Sequence, residues 1–128
     1  MAGVKAFLTL PDGRFLVVRH AYGDPTRWGL PGGGYRPGRE TPQQAVAREV
    51  AEELHIDVAP NAFAVVDRAV STLEGKRDTV TILTAAAVEE AFTLAPEIAE
   101  ARWIHGLTDL GTAPVSRWLR SALALTRQ

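Results

Sequence analysis

The strongest constraint on this chain is one helix whose start, faces and end can all be read from its residues. Thr41 is followed by proline at the first helical position and by Gln44 three residues on. In such a capping box a hydroxyl and a side-chain amide satisfy the first free N–H groups of a helix. The helix is expected to run from this cap to about Leu54. At about 100° per residue, Val46, Ala47, Val50, Ala51 and Leu54 gather on one side, and Glu49, Glu52 and Glu53 fall within one arc of the other. A helix with one apolar side must bury it against other elements, and in a chain of 128 residues those are the strand-like segments on either side.

Val4–Leu10 and Arg14–His20 read as strands joined by the turn Pro11-Asp12-Gly13. Ala21–Arg27 reads as a polar loop and Trp28–Pro31 as a short strand. Gly32–Gly34 follow, three glycines that either turn the chain or let its backbone approach a ligand. Beyond the helix, Ile56–Val70 and Thr79–Val88 read as two long strands joined by a polar turn around Glu74–Asp78. Arg102–His105 reads as a short strand after a loop at Pro96. Val115–Arg127 reads as a second amphipathic helix, with Trp118, Leu119, Ala122 and either Leu123 or Leu125 turned inward. This order predicts one α/β domain over residues 1–128, a mixed sheet between helices.

Composition narrows the chemistry. Without cysteine there is no disulfide, thiolate metal site, iron–sulfur cluster or cysteine nucleophile. The net charge of −1 averages unlike parts: residues 1–39 carry +4, residues 40–100 carry −8 and residues 101–128 carry +3. No apolar run approaches the roughly 20 residues of a membrane span, and the apolar start is too short for a signal peptide, so a cytoplasmic protein is expected. No extended basic tract suits a DNA duplex, although the basic ends leave capped RNA open as a substrate.

Within the acidic middle, Glu49, Glu52 and Glu53 stand at i, i+3 and i+4. Like charges at that spacing repel by a few tenths of about 1 kcal/mol per pair. The plain reading is a solvated acidic face; the chemical one is a divalent cation that reverses the repulsion. Oxygen ligands suit Mg²⁺ or Mn²⁺ better than Zn²⁺. Glu40 and Arg48 are spaced to pair across the loop before the helix.

From Gly34 the chain reads GYRPGRETPQQAVAREVAEELHI. This resembles the Nudix box of the Nudix hydrolases, G-x5-E-x7-R-E-U-x-E-E-x-G-U with U a bulky aliphatic residue, at every specified position except the second glycine, which is His55. Trp28-Gly29-Leu30-Pro31-Gly32-Gly33 is similar to the family's approach to the box. The resemblance implies an α/β/α sandwich and hydrolysis of a diphosphate bond in a small nucleotide-type molecule. It implies Glu49, Glu52 and Glu53 as metal-binding carboxylates, the Gly34 carbonyl as a further ligand, and Glu49 or a neighbour as the group that deprotonates the attacking water. Glu40 and Arg48 become the structural pair. His55 at a helix end is expected to cost little stability or to shift that end slightly. Arg39, between Gly38 and Glu40, lengthens the glycine loop by one residue relative to many members.

Further candidates are Glu97, Glu100, Glu89 and Glu90 as an extra acidic group, and Arg19, Arg27 and Arg36 as phosphate ligands. Tyr22, Trp28 and Tyr35 are candidates for stacking on a base. His20 reads as a strand-end side chain, and Trp103 and Trp118 as core. Two other functions remain: a nucleotide-binding or sensor domain on the same fold without turnover, and a prenyl diphosphate isomerase, which the missing cysteine disfavours. Val70–Leu73 lacks the proline or tyrosine that marks relatives specific for ADP-ribose or dinucleoside polyphosphates. A homodimer is compatible with the sequence.

Overall fold

The computed structural model describes residues 1–73 and 76–127. Its strands are β1 (Ala2–Thr9), β2 (Phe15–His20), β3 (Trp28–Gly29), β4 (Gly32–Tyr35), β5 (Ala64–Leu73), β6 (Lys76–Ala86) and β7 (Ile98–Ile104), with helices α1 (Pro42–Leu54) and α2 (Arg117–Thr126). They form a seven-stranded mixed sheet. β1 runs parallel to β6 along its whole length, and β6 pairs antiparallel with β5 at the edge.

β1 and β2 form a hairpin only at its turn, where Thr9 faces Phe15. Beyond that point the strands part. β4 fills one side of the fork, pairing with β1 from Ala2↔Tyr35 to Lys5↔Gly32, and β3 fills the other, pairing with the end of β2. β7 lies on the outer edge of β2. The three glycines are therefore a strand. Gly32 has a φ of 154°, and a Cβ there would run into the Val4 carbonyl oxygen, so only glycine lets β4 lie this close to β1.

Alternation along the strands sends side chains to two cores. Val4, Ala6, Leu8, Leu16, Val18 and Leu83 pack with Val46, Val50 and Leu54 of α1. Phe7, Phe15, Val17 and Ile82 pack on the other face with Leu119 and Ala122 of α2. The result is a helix–sheet–helix sandwich. Among the described residues no helix is long and apolar enough to cross a membrane.

Several boundaries differ from the sequence reading. Ile56–Val70 is not one strand: a 3-10 turn occupies Pro60–Ala62 and pairing begins at Ala64. Pro60 has no N–H to give a ladder. The short strand at Arg102–His105 is the end of a longer one starting at Ile98. The second helix begins at Arg117, because Ser116 caps it by accepting the Leu119 N–H at 3.2 Å while Val115 bridges to Trp28. Of the two inward leucines, Leu123 packs on the core and Leu125 is exposed. Trp103 and Trp118 are half-buried against the cores. The turn expected around Glu74–Asp78 has Glu74 and Gly75 outside the described residues, and Asp78 already belongs to β6.

α1 begins as its residues require. Thr41 Oγ accepts the Gln44 N–H at 3.1 Å, and Gln44 Oε1 accepts the Thr41 N–H at 3.0 Å. The loop before it closes in a tight turn, where the Arg36 carbonyl accepts the N–H groups of both Arg39 and Glu40. At the far end His55 takes the left-handed conformation, φ 55° and ψ 34°. Its Nδ1 lies 2.9 Å from the Thr93 carbonyl oxygen, so the ring donates there. Thr93 and Ala95 in turn donate their N–H groups to the Leu54 and Glu53 carbonyls. The strained residue thus docks the chain after β6 onto the helix end.

Left-handed backbone costs a residue with a Cβ about 1–2 kcal/mol, and an exposed hydrogen bond returns about 1 kcal/mol. His55→Gly relieves the first and loses the second, so its urea midpoint should stay near wild type. His55→Ala keeps the strain without the bond and should lose about 1 kcal/mol. Equal midpoints for the two variants would show that backbone strain at this position is negligible.

Candidate active site

α1 lays its acidic side across the fork, and the fork divides the three glutamates. Glu52 is exposed. Glu49 keeps only 14 % of its side-chain surface, and Glu53 is 2 % exposed. The helical wheel puts all three on one arc, whose plain reading is a solvated face; Glu53 departs from that reading because β4 covers that part of the helix with bare backbone. Glu53 Oε1 accepts the Gly32 N–H at 2.9 Å. A Cβ on Gly33 would stand 2.8 Å from the Glu49 carboxylate. Gly33 is the glycine whose backbone meets the Glu49 carboxylate, whereas Gly34 is exposed.

Arg48 ties the loop to this face. Its Nε and Nη2 donate to both Glu40 oxygens at 2.8 and 2.9 Å, and its Nη1 reaches Glu49 Oε1 at 3.0 Å and Glu52 Oε2 at 3.3 Å. The hydrogen bonds from Arg48 hold the Glu40 carboxyl below its usual range. Burial dominates at the next two carboxyls. It raises Glu49 despite Arg48. Glu53 is pushed up to about 7, first by burial and then by the charge of Glu49, against the Gly32 hydrogen bond.

Behind the glycines lies a cleft in the fork. Lys5 joins two cavities there. One, about 310 Å³, is lined by His20, Tyr22, Arg27 and Trp28, and the other, about 280 Å³, by Gly3, Gly33, Gly34 and Thr79. Burial lowers the Lys5 ammonium, while the charges of Glu53 and Glu49 oppose that shift. The sequence reading missed Lys5, although one signal was present: a single charge inside the apolar strand VKAFLTL.

The remaining candidates separate. The charge of Glu97 reaches both Glu53 and Tyr22, and its carbonyl accepts the Ala21 N–H at 2.9 Å, which sets it beside the cleft. Arg27 and Trp28 form cleft wall, although Trp28 is 6 % exposed and mostly core. Arg19 turns away, donating to Glu100 Oε1 at 2.7 Å and to the Pro25 carbonyl at 2.7 Å. Arg36 is exposed on the loop and Tyr35 packs toward the α1 core. Glu90 is engaged by Arg14 at 2.9 Å. His20 is half-buried, its Nδ1 has no hydrogen-bond partner, and burial lowers its pKa.

The donor set fits a hard divalent cation in kind: oxygen ligands only, with Glu49 and Glu53 raised first by burial and then by neighbouring carboxylates. Among the described residues no three such groups already close on one point, since Arg48 holds Glu49 and Glu52 while Gly32 holds Glu53.

The fold is that of a class of hydrolases acting on diphosphate bonds. The NUDIX domain model matches residues 1–122, and the chain belongs to the NUDIX family. Among solved structures, a MutT NUDIX hydrolase from Burkholderia pseudomallei is 25 % identical with a TM-score of 0.79, covering 98 % of this chain and 96 % of its own. The dihydroneopterin triphosphate pyrophosphohydrolase of E. coli is 22 % identical with a TM-score of 0.76, covering 98 % and 93 %. The NUDIX domain of Shewanella oneidensis NrtR, complexed with ADP ribose, is 20 % identical with a TM-score of 0.76, covering 99 % and 86 %. The chain spans only 42 % of a MutT/nudix family protein from Enterococcus faecalis, which covers 80 % of it at 17 % identity and a TM-score of 0.67. No curated protein matches the chain.

Two outcomes follow from the geometry. Gly33→Ala meets the movable end of Glu49, so it should displace that carboxylate and cut activity with a small loss of stability. Gly32→Ala meets backbone at a positive φ and should cost several kcal/mol (about 3 or more) in a urea melt. Equal stability of the two variants would contradict the close packing of β4.

Glu53 gives a pH signature. A carboxyl with a raised folded pKa contributes stability that is fully present below its unfolded value of 4.5 and is lost as pH rises through about 7. In EDTA, wild type should therefore lose up to about 3 kcal/mol relative to Glu53→Gln between pH 5 and pH 8. A pH-independent difference would mean that Glu53 ionises freely in the fold.

Proposed function

We propose that the protein is a Mg²⁺- or Mn²⁺-dependent pyrophosphohydrolase that cleaves a small nucleotide-type diphosphate in the cytoplasm. The observation that carries this reading is the pair of buried carboxylates, Glu49 and Glu53, packed on glycine backbone at the mouth of the Lys5 cleft. Glu49, Glu52, Glu53 and the carbonyl of Gly34 are the residues that would hold the metal. When bound, it supplies positive charge to the phosphoryl oxygens and lowers the pKa of water.

The chain's own groups do the rest. Glu49 Oε2, the oxygen that Arg48 leaves free, accepts a proton from the attacking water. The Lys5 ammonium faces the diphosphate from the cleft floor, where it offsets charge that the carboxylates alone would repel. Arg27 lines the same cavity, with Tyr22 and Trp28 offering an aromatic wall to a base. Glu97 adds a carboxylate near Glu53. Arg48 and Glu40 fix the loop so that Gly33 stays against Glu49. The ADP ribose bound by the Shewanella domain and the triphosphate substrate of the E. coli enzyme favour a nucleotide-type substrate.

The test is a panel of nucleoside diphosphate conjugates and triphosphates with Mg²⁺, followed by release of monophosphate. Wild type should hydrolyse at least one. Glu52→Gln and Glu53→Gln should lower kcat by about 100-fold or more with folding intact. A wild type that binds one of these compounds and hydrolyses none would make the chain a binding domain.

A further inference from the structure

A larger cavity, about 630 Å³, lies outside the cleft. Its walls are the loop from Tyr35 to Thr41, the first turn of α1, and Val65, Arg68 and Thr81 of β5 and β6. Register places it on the other face of the sheet. Thr81 pairs with Val4 and points with it to the α1 side, whereas Lys5 pairs with Ile82 and points to the α2 side. A molecule in the cleft therefore does not reach this groove through the sheet.

The charge on its walls is unbalanced. Glu40 is the only carboxylate among the lining residues, and both of its oxygens are already taken by Arg48. Arg39, on the loop, and Arg68, on β5, both line it, and neither makes an ion pair or side-chain hydrogen bond among the described residues. The helix end adds no free anion site, since Thr41 and Gln44 satisfy each other's N–H groups. Tyr35 and the 51 % exposed Val65 add aromatic and apolar surface to the same lining. Thr81, 2 % exposed, also lines the groove.

We propose that this groove is a second ligand site, taking a small phosphate ester that carries a planar aromatic group. Its phosphate would pair with Arg39 and Arg68, which are suited to bidentate contact, and its ring would lie between Tyr35 and Val65. The volume suits a nucleoside monophosphate. The product of the cleft reaction and a separate effector share this chemistry. The site stands on its own residues, whether or not the cleft hydrolyses diphosphates.

The experiment is amide NMR on the full chain in EDTA, titrated with AMP and separately with inorganic pyrophosphate. AMP should move the amides of Gly38, Gln44 and Thr81, and pyrophosphate should move them at tenfold higher concentration or above. The double variant Arg39→Gln, Arg68→Gln, which alters only exposed side chains, should weaken the AMP response at least tenfold. Lys5→Met should leave it unchanged. AMP shifts confined to Gly3, His20 and Gly33 would place all binding in the cleft and overturn the proposal. So would an unchanged affinity in the double variant, or a groove covered by a second copy of the chain in solution.

Discussion

The close approach of the β4 backbone to both β1 and α1 governs the rest of this structure. With no side chains at Gly32 and Gly33, one strand edge can pair with β1 while its other side lies on the helix. The Gly32 N–H is thereby turned toward Glu53, where a buried carboxylate finds one of the few partners that requires no second charge. The fork between β1 and β2 follows from the same packing. A side chain at Gly32 would push β4 off β1, close the fork and expose Glu53 to water.

Burial has a price that only part of the site offsets. Arg48 compensates Glu40 fully and Glu49 and Glu52 in part, while Glu53 has a single amide and a distant ammonium. A carboxyl raised to about 7 is a group that wants either a proton or a cation near neutral pH. Three glutamates on one helix turn mean little by themselves. Two of them pressed onto glycine backbone, beside a lysine drawn down by burial, describe a place where local charge is left to be completed.

Much of this was legible in the sequence because it depends on contacts near in the chain. The α1 cap, its proline and its left-handed end at His55 are set within a few residues, and each appears as the residues predict. The bidentate Arg48–Glu40 pair spans eight residues and was equally readable. What the sequence hid depends on long-range register. A helical wheel treats Glu53 and Glu52 alike, and only the arrival of β4 separates them. Lys5 reads as a surface lysine until β1 becomes the central strand. Spacing also could not show that Gly33 lies against the Glu49 carboxylate while Gly34 is exposed, a matter of how β4 packs on the helix. Arg19 looked like a phosphate ligand, but Glu100, 81 residues away, had already taken it.

The two faces of the sheet make the division of labour physical. Because side chains alternate, neighbouring residues of β1 serve opposite compartments: Val4 packs under α1 and Lys5 opens into the cleft. The same alternation on β6 sends Thr81 to the α1 side and Ile82 to the other core. One element crosses that division, the loop from Tyr35 to Glu40 with the Arg48 it holds. Its outer surface walls the large groove, and its inner contact sets the position of Glu49. A change in the loop is therefore felt at the carboxylates through a guanidinium shared by three of them, without any rearrangement of the sheet between.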